Sequence, residues 1–131
     1  MFSKILKLIK EEYLTTVKSP WSEADIYRDP TLSDISHLIK NSTQKGSMGF
    51  KFVVDLETED VYVWDAFTSL HQPVVDKLGI AKDNSWNNLA GGNIIRKDGK
   101  YTVYWDSLTF KNSPDEIFKA GLLLNLYVKH D

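Results

Sequence analysis

Cysteine is absent from the 131 residues, so disulfides, thiolate metal sites and cysteine nucleophiles are all excluded. No apolar run reaches the roughly 18–20 residues that a membrane-spanning helix needs. The stretch from Met1 to Lys10 is basic and apolar, but Lys4, Lys7 and Lys10 break it every third residue, so it does not read as a signal peptide. An excess of one charge is missing too. Sixteen Lys and Arg against 18 Asp and Glu leave a formal net charge of −2, which supplies no global drive toward nucleic acid. Metal-ligand spacing is also lacking: His37, His71 and His130 stand far apart, with no His-x-x-x-His, no His-x-His and no carboxylate-rich loop. Gly91-Gly92 precedes a strand pattern rather than a helix, so it reads as a turn and not as a phosphate loop. No metal or cofactor is expected.

What is present is ordinary globular composition, 42% hydrophobic and 26% charged, in a length that suits a single domain over residues 1–131. Residues 3–18 carry Ile5, Leu6, Ile9, Tyr13 and Val17 at helical spacing, and Ser19-Pro20 ends the pattern. A short strand is expected within 25–28. Asp29-Pro30-Thr31 opens a second helix, with Asp29 or Thr31 as its cap and Leu32, Ile35, Leu38 and Ile39 as its buried stripe. A polar connector over 41–49 leads into two hairpins. The first joins 50–55 to 61–65. The second joins 93–97 to 100–105 across Asp98-Gly99, a pair that favours a two-residue turn. Between them a helix over 69–78 is expected, capped by Thr68 or Ser69 and stopped by Gly79, with Leu70, Val74, Val75 and Leu78 inward. Residues 84–92 read as an Asn/Gly-rich loop carrying Trp86. Ser113-Pro-Asp-Glu116 is a capping box that starts the last helix. The expectation is an α+β fold of order α-α-β-β-α-β-β-α: a small antiparallel sheet from two hairpins, with helices gathered on one face.

Few residues could carry chemistry. Asp65 ends a strand and His71 opens the next helix, so a carboxylate could orient an imidazole across the turn for acid–base work. No nucleophile stands at a recognisable spacing, and the same residues read equally as a turn cap and a surface histidine. Tyr62, Trp64, Tyr101, Tyr104 and Trp105 lie on strands beside Lys51, Arg96, Lys97 and Lys100, an arrangement that could stack bases. Asp55, Glu57, Glu59, Asp60 and Asp65 crowd the same sheet, which favours core packing for most of those rings and makes nucleic acid a poor partner. The last helix carries a second apolar set, Phe118, Leu122, Leu123, Leu126 and Tyr127, more than one sheet contact requires. A protein contact is expected at Leu123 and Leu126, or else on the hairpin face around Trp64 and His71, and a homo-oligomer would use the same surfaces.

One resemblance bears on origin. Ile26-Tyr-Arg-Asp-Pro30, Asp34-Ile35, Phe50 to Thr58, Asp60-Val-Tyr-Val-Trp-Asp-Ala66, His71 and Leu78-Gly79 resemble a small module of tailed-bacteriophage proteins. In that module an Asn-Pro or Asp-Pro helix start precedes a hairpin with a Tyr-Val-Trp-Asp-Ala strand and a histidine in the next helix. The likeness covers about residues 25–80. It implies phage origin rather than a mechanism; the leading expectation is a phage-encoded, non-enzymatic interaction protein, a minor structural component of the virion with other virion proteins as partners, found in the particle or the infected host cytoplasm. Two alternatives stay open: an early phage protein that inhibits a host factor, and a small barnase- or RelE-like ribonuclease using His71.

Overall fold

The computed structural model describes residues 26–44, 49–65, 70–97, 100–105 and 110–128. The expected N-terminal helix and the Asp98-Gly99 turn lie outside them. Among the described residues, five strands and three helices follow in the order β1 (Tyr27–Arg28), α1 (Leu32–Gln44), β2 (Gly49–Asp55), β3 (Val61–Asp65), α2 (His71–Leu78), β4 (Leu89–Lys97), β5 (Lys100–Tyr104) and α3 (Pro114–Leu124). All strands pair antiparallel in one sheet of order β1-β3-β2-β4-β5. The class is α+β, as the alternating hairpin segments predict.

The two hairpins are joined by β2 and β4, which pair from Gly49 opposite Ile95 to Asp55 opposite Leu89. β2 therefore sits mid-sheet, and it is buried on both sides. Phe50, Phe52 and Val54 face one core, with Val61, Val63, Ile94, Leu38 of α1 and Ala120, Leu123 and Leu124 of α3. Val53 faces a second core with Tyr62, Trp64, Leu89, Phe110 and Val74 and Val75 of α2. The helices thus lie on both faces rather than one. The physical reason is that β3 is apolar at every position from Val61 to Trp64, so each face needs a cover.

Local chemistry fixes the element ends. Thr31, not Asp29, caps α1: the Asp34 N–H donates to Thr31 Oγ1 at 3.1 Å, and the Thr31 N–H donates to Asp34 Oδ2 at 2.9 Å. Asp29 works instead for the sheet. Its N–H donates to the Val61 carbonyl and its carboxylate accepts from the Val61 N–H at 2.9 Å, at a left-handed φ of 51°. α1 runs four residues beyond its expected end at Lys40, and Leu32 is 79% exposed rather than part of its stripe. Leu70 is likewise exposed, serving as the N-cap of α2 without a side-chain bond, and Gly79 closes that helix at φ 63°. The capping box of α3 forms as expected, with Ser113 and Glu116 bonded reciprocally.

The largest departure is at Gly91-Gly92, expected in a turn and found inside β4, which begins at Leu89. Both glycines are required by neighbours that are distant in sequence. A Cβ on Gly91 would stand 2.6 Å from the Phe110 ring and 2.9 Å from the Phe52 carbonyl oxygen, and one on Gly92 would collide with the Tyr104 carbonyl oxygen. Replacing Gly91 with Ala should cost about 1–3 kcal/mol by overpacking. Gly79→Ala has open space around it and should cost only the left-handed penalty of about 1–2 kcal/mol. Urea melts of the pair check this: in a Phe110→Leu background, which removes the ring but not the Phe52 carbonyl contact, Gly91→Ala should cost less than it does in the wild type, and Gly79→Ala should cost the same.

Candidate functional site

β3 alternates, and that alternation decides the geometry around Asp65 and His71. Asp65 stands opposite Phe50, on the face of the first core, whereas Trp64 stands opposite Lys51 on the other face. α2 packs on the Trp64 side, so His71 is carried to the opposite face of the sheet from Asp65. The structure does not bring the two together.

His71 is instead built into the second core at 5% exposure. Its ring meets Trp64 edge-on at 5.4 Å and Phe110 edge-on at 5.0 Å. Nε2 lies 2.9 Å from the Gly92 carbonyl oxygen and 3.2 Å from that of Phe52. Both partners can only accept, so Nε2 carries the proton and donates to both. Phe52 and Gly92 face each other across β2 and β4. One imidazole therefore clips the two hairpins together at their junction. Burial pushes its pKa down to about 4, and the nearby Lys51 ammonium adds to the fall, while the two carbonyl bonds oppose it. Lys51 donates its own Nζ–H to Asn93 Oδ1 at 2.9 Å, and burial lowers its pKa as well.

The other expected contact residues are distributed between core and half-buried positions. Trp64 and Leu123 are at 0% exposure, and Leu126 is half-buried against the first core. A partner surface centred on Leu123 or Trp64 would have to open the core, so the exposed apolar groups lie elsewhere. Phe118 on α3 is 69% exposed, and Ile95 and Tyr104 are exposed on neighbouring strands β4 and β5. Of the strand aromatics, Tyr62 and Trp64 are interior, and Tyr101 and Trp105 pack partly on the first core.

Sequence reasoning missed two polar groups that organise this end of the molecule. Asn88, buried, donates from Nδ2 to the Ile80 carbonyl and accepts at Oδ1 from the Lys82 N–H, tying the loop after α2 to the end of β2. Asn112 donates from Nδ2 to the Leu89 carbonyl at 2.8 Å. An Asn in a polar loop gives no local signal of either role. Among the described residues no cluster of histidine and carboxylates could hold a metal ion, and no helix is long and apolar enough to cross a membrane. Comparisons with family models, curated proteins and solved structures return no match, so the residues are read on their own geometry.

The pH dependence of folding tests the clip. His71 titrates near 6.5 when unfolded and near 4 when folded, so between these values the unfolded chain binds more protons. Its contribution is intact above pH of about 6.5 and is lost progressively toward about 4, by on the order of 3 kcal/mol. His71→Gln keeps a neutral donor and removes the titration. Its stability should fall by about 1–3 kcal/mol at neutral pH and then decline less steeply than wild type with acid, as urea melts across this range will show.

Proposed function

We propose that the chain is a phage-encoded, non-enzymatic interaction protein, a minor component of the virion. The observation that carries the non-enzymatic part is the use made of His71. Its proton is committed to two strand carbonyls, its ring is wedged between Trp64 and Phe110, and its pKa near 4 keeps it neutral at physiological pH. A general base needs a nitrogen within reach of a substrate proton. This imidazole is spent on joining β2 to β4.

Phage origin rests on the likeness of residues 25–80 to the tailed-phage module, and the Val-Tyr-Val-Trp-Asp-Ala sequence at 61–66 is its most specific part. The interaction reading draws support from Phe118, which stands in solvent on a helix whose inner face is already filled by Ala120, Leu123 and Leu124. An exposed phenyl ring with no packing duty is the kind of anchor that interface hot spots use.

Quantitative mass spectrometry of purified particles, from a phage carrying this gene, is the test. A fixed copy number per particle is expected. Presence in infected cells but absence from particles would transfer the chain to the host-factor reading. Phe118→Ser should leave folding within about 0.5 kcal/mol of wild type while reducing incorporation into particles, whereas Leu123→Ser should unfold the chain by about 2–5 kcal/mol. RNA cleavage that survives purification and disappears in His71→Gln would restore the ribonuclease.

A further inference from the structure

Two local costs meet at one recess. The recess, of about 390 Å³, lies between the loop before β4 and the segment leading into α3. Its volume falls in the roughly 300–1,000 Å³ range of small-molecule sites.

The first cost is at Trp86, which adopts a left-handed φ of 54°. The turn around it is held by backbone and Asp83: the Ser85 N–H donates to Asp83 Oδ1, the Trp86 N–H to the Asp83 carbonyl, and the Leu89 N–H to the Trp86 carbonyl. None of these bonds needs an indole. Asn or Gly would adopt the same φ with less strain, and Asn stands at three other positions of this loop, 84, 87 and 88. The indole packs on Phe110 at 5.3 Å, yet it stays half-exposed and lines the recess. Strain of this kind in a bulky residue points to use.

The second cost is at Asn112. The Leu89 carbonyl can only accept, so the amide nitrogen must face it and the oxygen is left over. That Oδ1 is buried without a hydrogen-bond partner. Asn112 also lines the recess. Oδ1 is closed to solvent, so a donor meets it only as the Asn112 side chain gives toward the recess on ligand entry.

The remaining walls specify the ligand. Trp86 offers its half-exposed indole, with the buried Phe110 ring behind it; Ser85 and Asn87 add polar groups of both kinds; Lys111 and Glu116 contribute charges that cancel. A flat, uncharged group with several donors and acceptors on its edge matches this lining. An indole or phenol has a single polar edge atom and would leave most of these groups unanswered. We propose that the recess binds an uncharged planar heteroaromatic of the nucleobase or nucleoside class, stacked on Trp86 with an N–H directed at Asn112 Oδ1. The cancelling charges favour the free molecule over a phosphate-bearing strand.

The experiment is a titration of the full ¹⁵N-labelled chain with adenosine, cytidine and uridine, followed at the Trp86 indole N–H and the Asn112 side-chain amide. Saturable shifts at both are expected for at least one nucleoside, with affinity in the millimolar range or better. Asn112→Leu should weaken it by about tenfold or more. Trp86→Asn, which suits the left-handed turn, should abolish binding while the rest of the spectrum stays that of the folded protein. Absence of shifts at both residues with every nucleoside, or shifts that persist in folded Trp86→Asn, overturns the proposal. Tighter, salt-sensitive binding of a single-stranded oligonucleotide overturns it in favour of nucleic acid. Stronger binding of N-acetyl-tryptophanamide overturns it in favour of a protein side chain.

Discussion

The pairing of β2 with β4 is the joint on which the other contacts rest. Each hairpin is local in sequence, but this pairing brings Phe52 opposite Gly92 across a long loop and a helix. Backbone bonds in a sheet centre are strong only when water is kept out, and here both faces are sealed. Phe50, Phe52 and Val54 close one side, and Val53 with the α2 valines closes the other. His71 adds a bond from outside the ladder. By donating to carbonyls on both strands, it makes the seating of α2 and the registry of the two hairpins a single event. A slip of β4 by one residue would take the Gly92 carbonyl away from the ring, and the slip that brings Ala90 into the place of Gly91 would also present a methyl group to Phe110.

That arrangement explains why polar residues are buried where they are. Asp29 bonds the backbone of β3 at its first residue, and Asp55 accepts from the Glu57 N–H at the hairpin turn. Asn88 holds the loop that follows α2. Each sits at the end of a strand, where ladder bonds stop and backbone groups would otherwise be unmet. Tyr127, beyond the end of α3, meets the first of them: burial, with the Asp29 carboxylate beside it, holds its hydroxyl well above the usual phenol range. Asp29, Asp55 and Asn88 are thus spent on backbone ends.

Elements with their own periodicity or caps could be read directly from the sequence. The Ser113–Glu116 box, the Gly79 stop and the alternating hairpin strands depend on residues close in the chain, and the structure has all three. What could not be read depends on distant partners. Gly91-Gly92 looks like a turn because nothing nearby shows that Phe110 and Tyr104 will need the space. The side of the sheet chosen by α2 is hidden because two valines on a short helix suit either face. The separation of Asp65 from His71 was half legible: alternation alone puts Trp64 and Asp65 on opposite faces, and only the placement of α2 was needed to complete it.

The distribution of aromatic rings follows from the same division into two cores. Phe52 meets Trp105 edge-on at 5.1 Å in the first core, and Trp64, His71, Phe110 and Trp86 form a chain of ring contacts in the second. That second chain begins at a fully buried ring and ends at a half-exposed one, so it runs from the centre of the sheet to the surface recess. Phe110 is the link, since it touches both the imidazole that clips the strands and the indole in the strained turn. A change of position at Trp86 therefore has only one ring to cross before it reaches the β2–β4 joint. The Trp86 and Phe110 rings are tilted at 45° and the Phe110 and His71 rings meet edge-on, all at about 5 Å, the close packing expected of an interior. The recess and the joint thus share a single connecting side chain, which places the loop before β4 one ring away from the pairing that holds the sheet together.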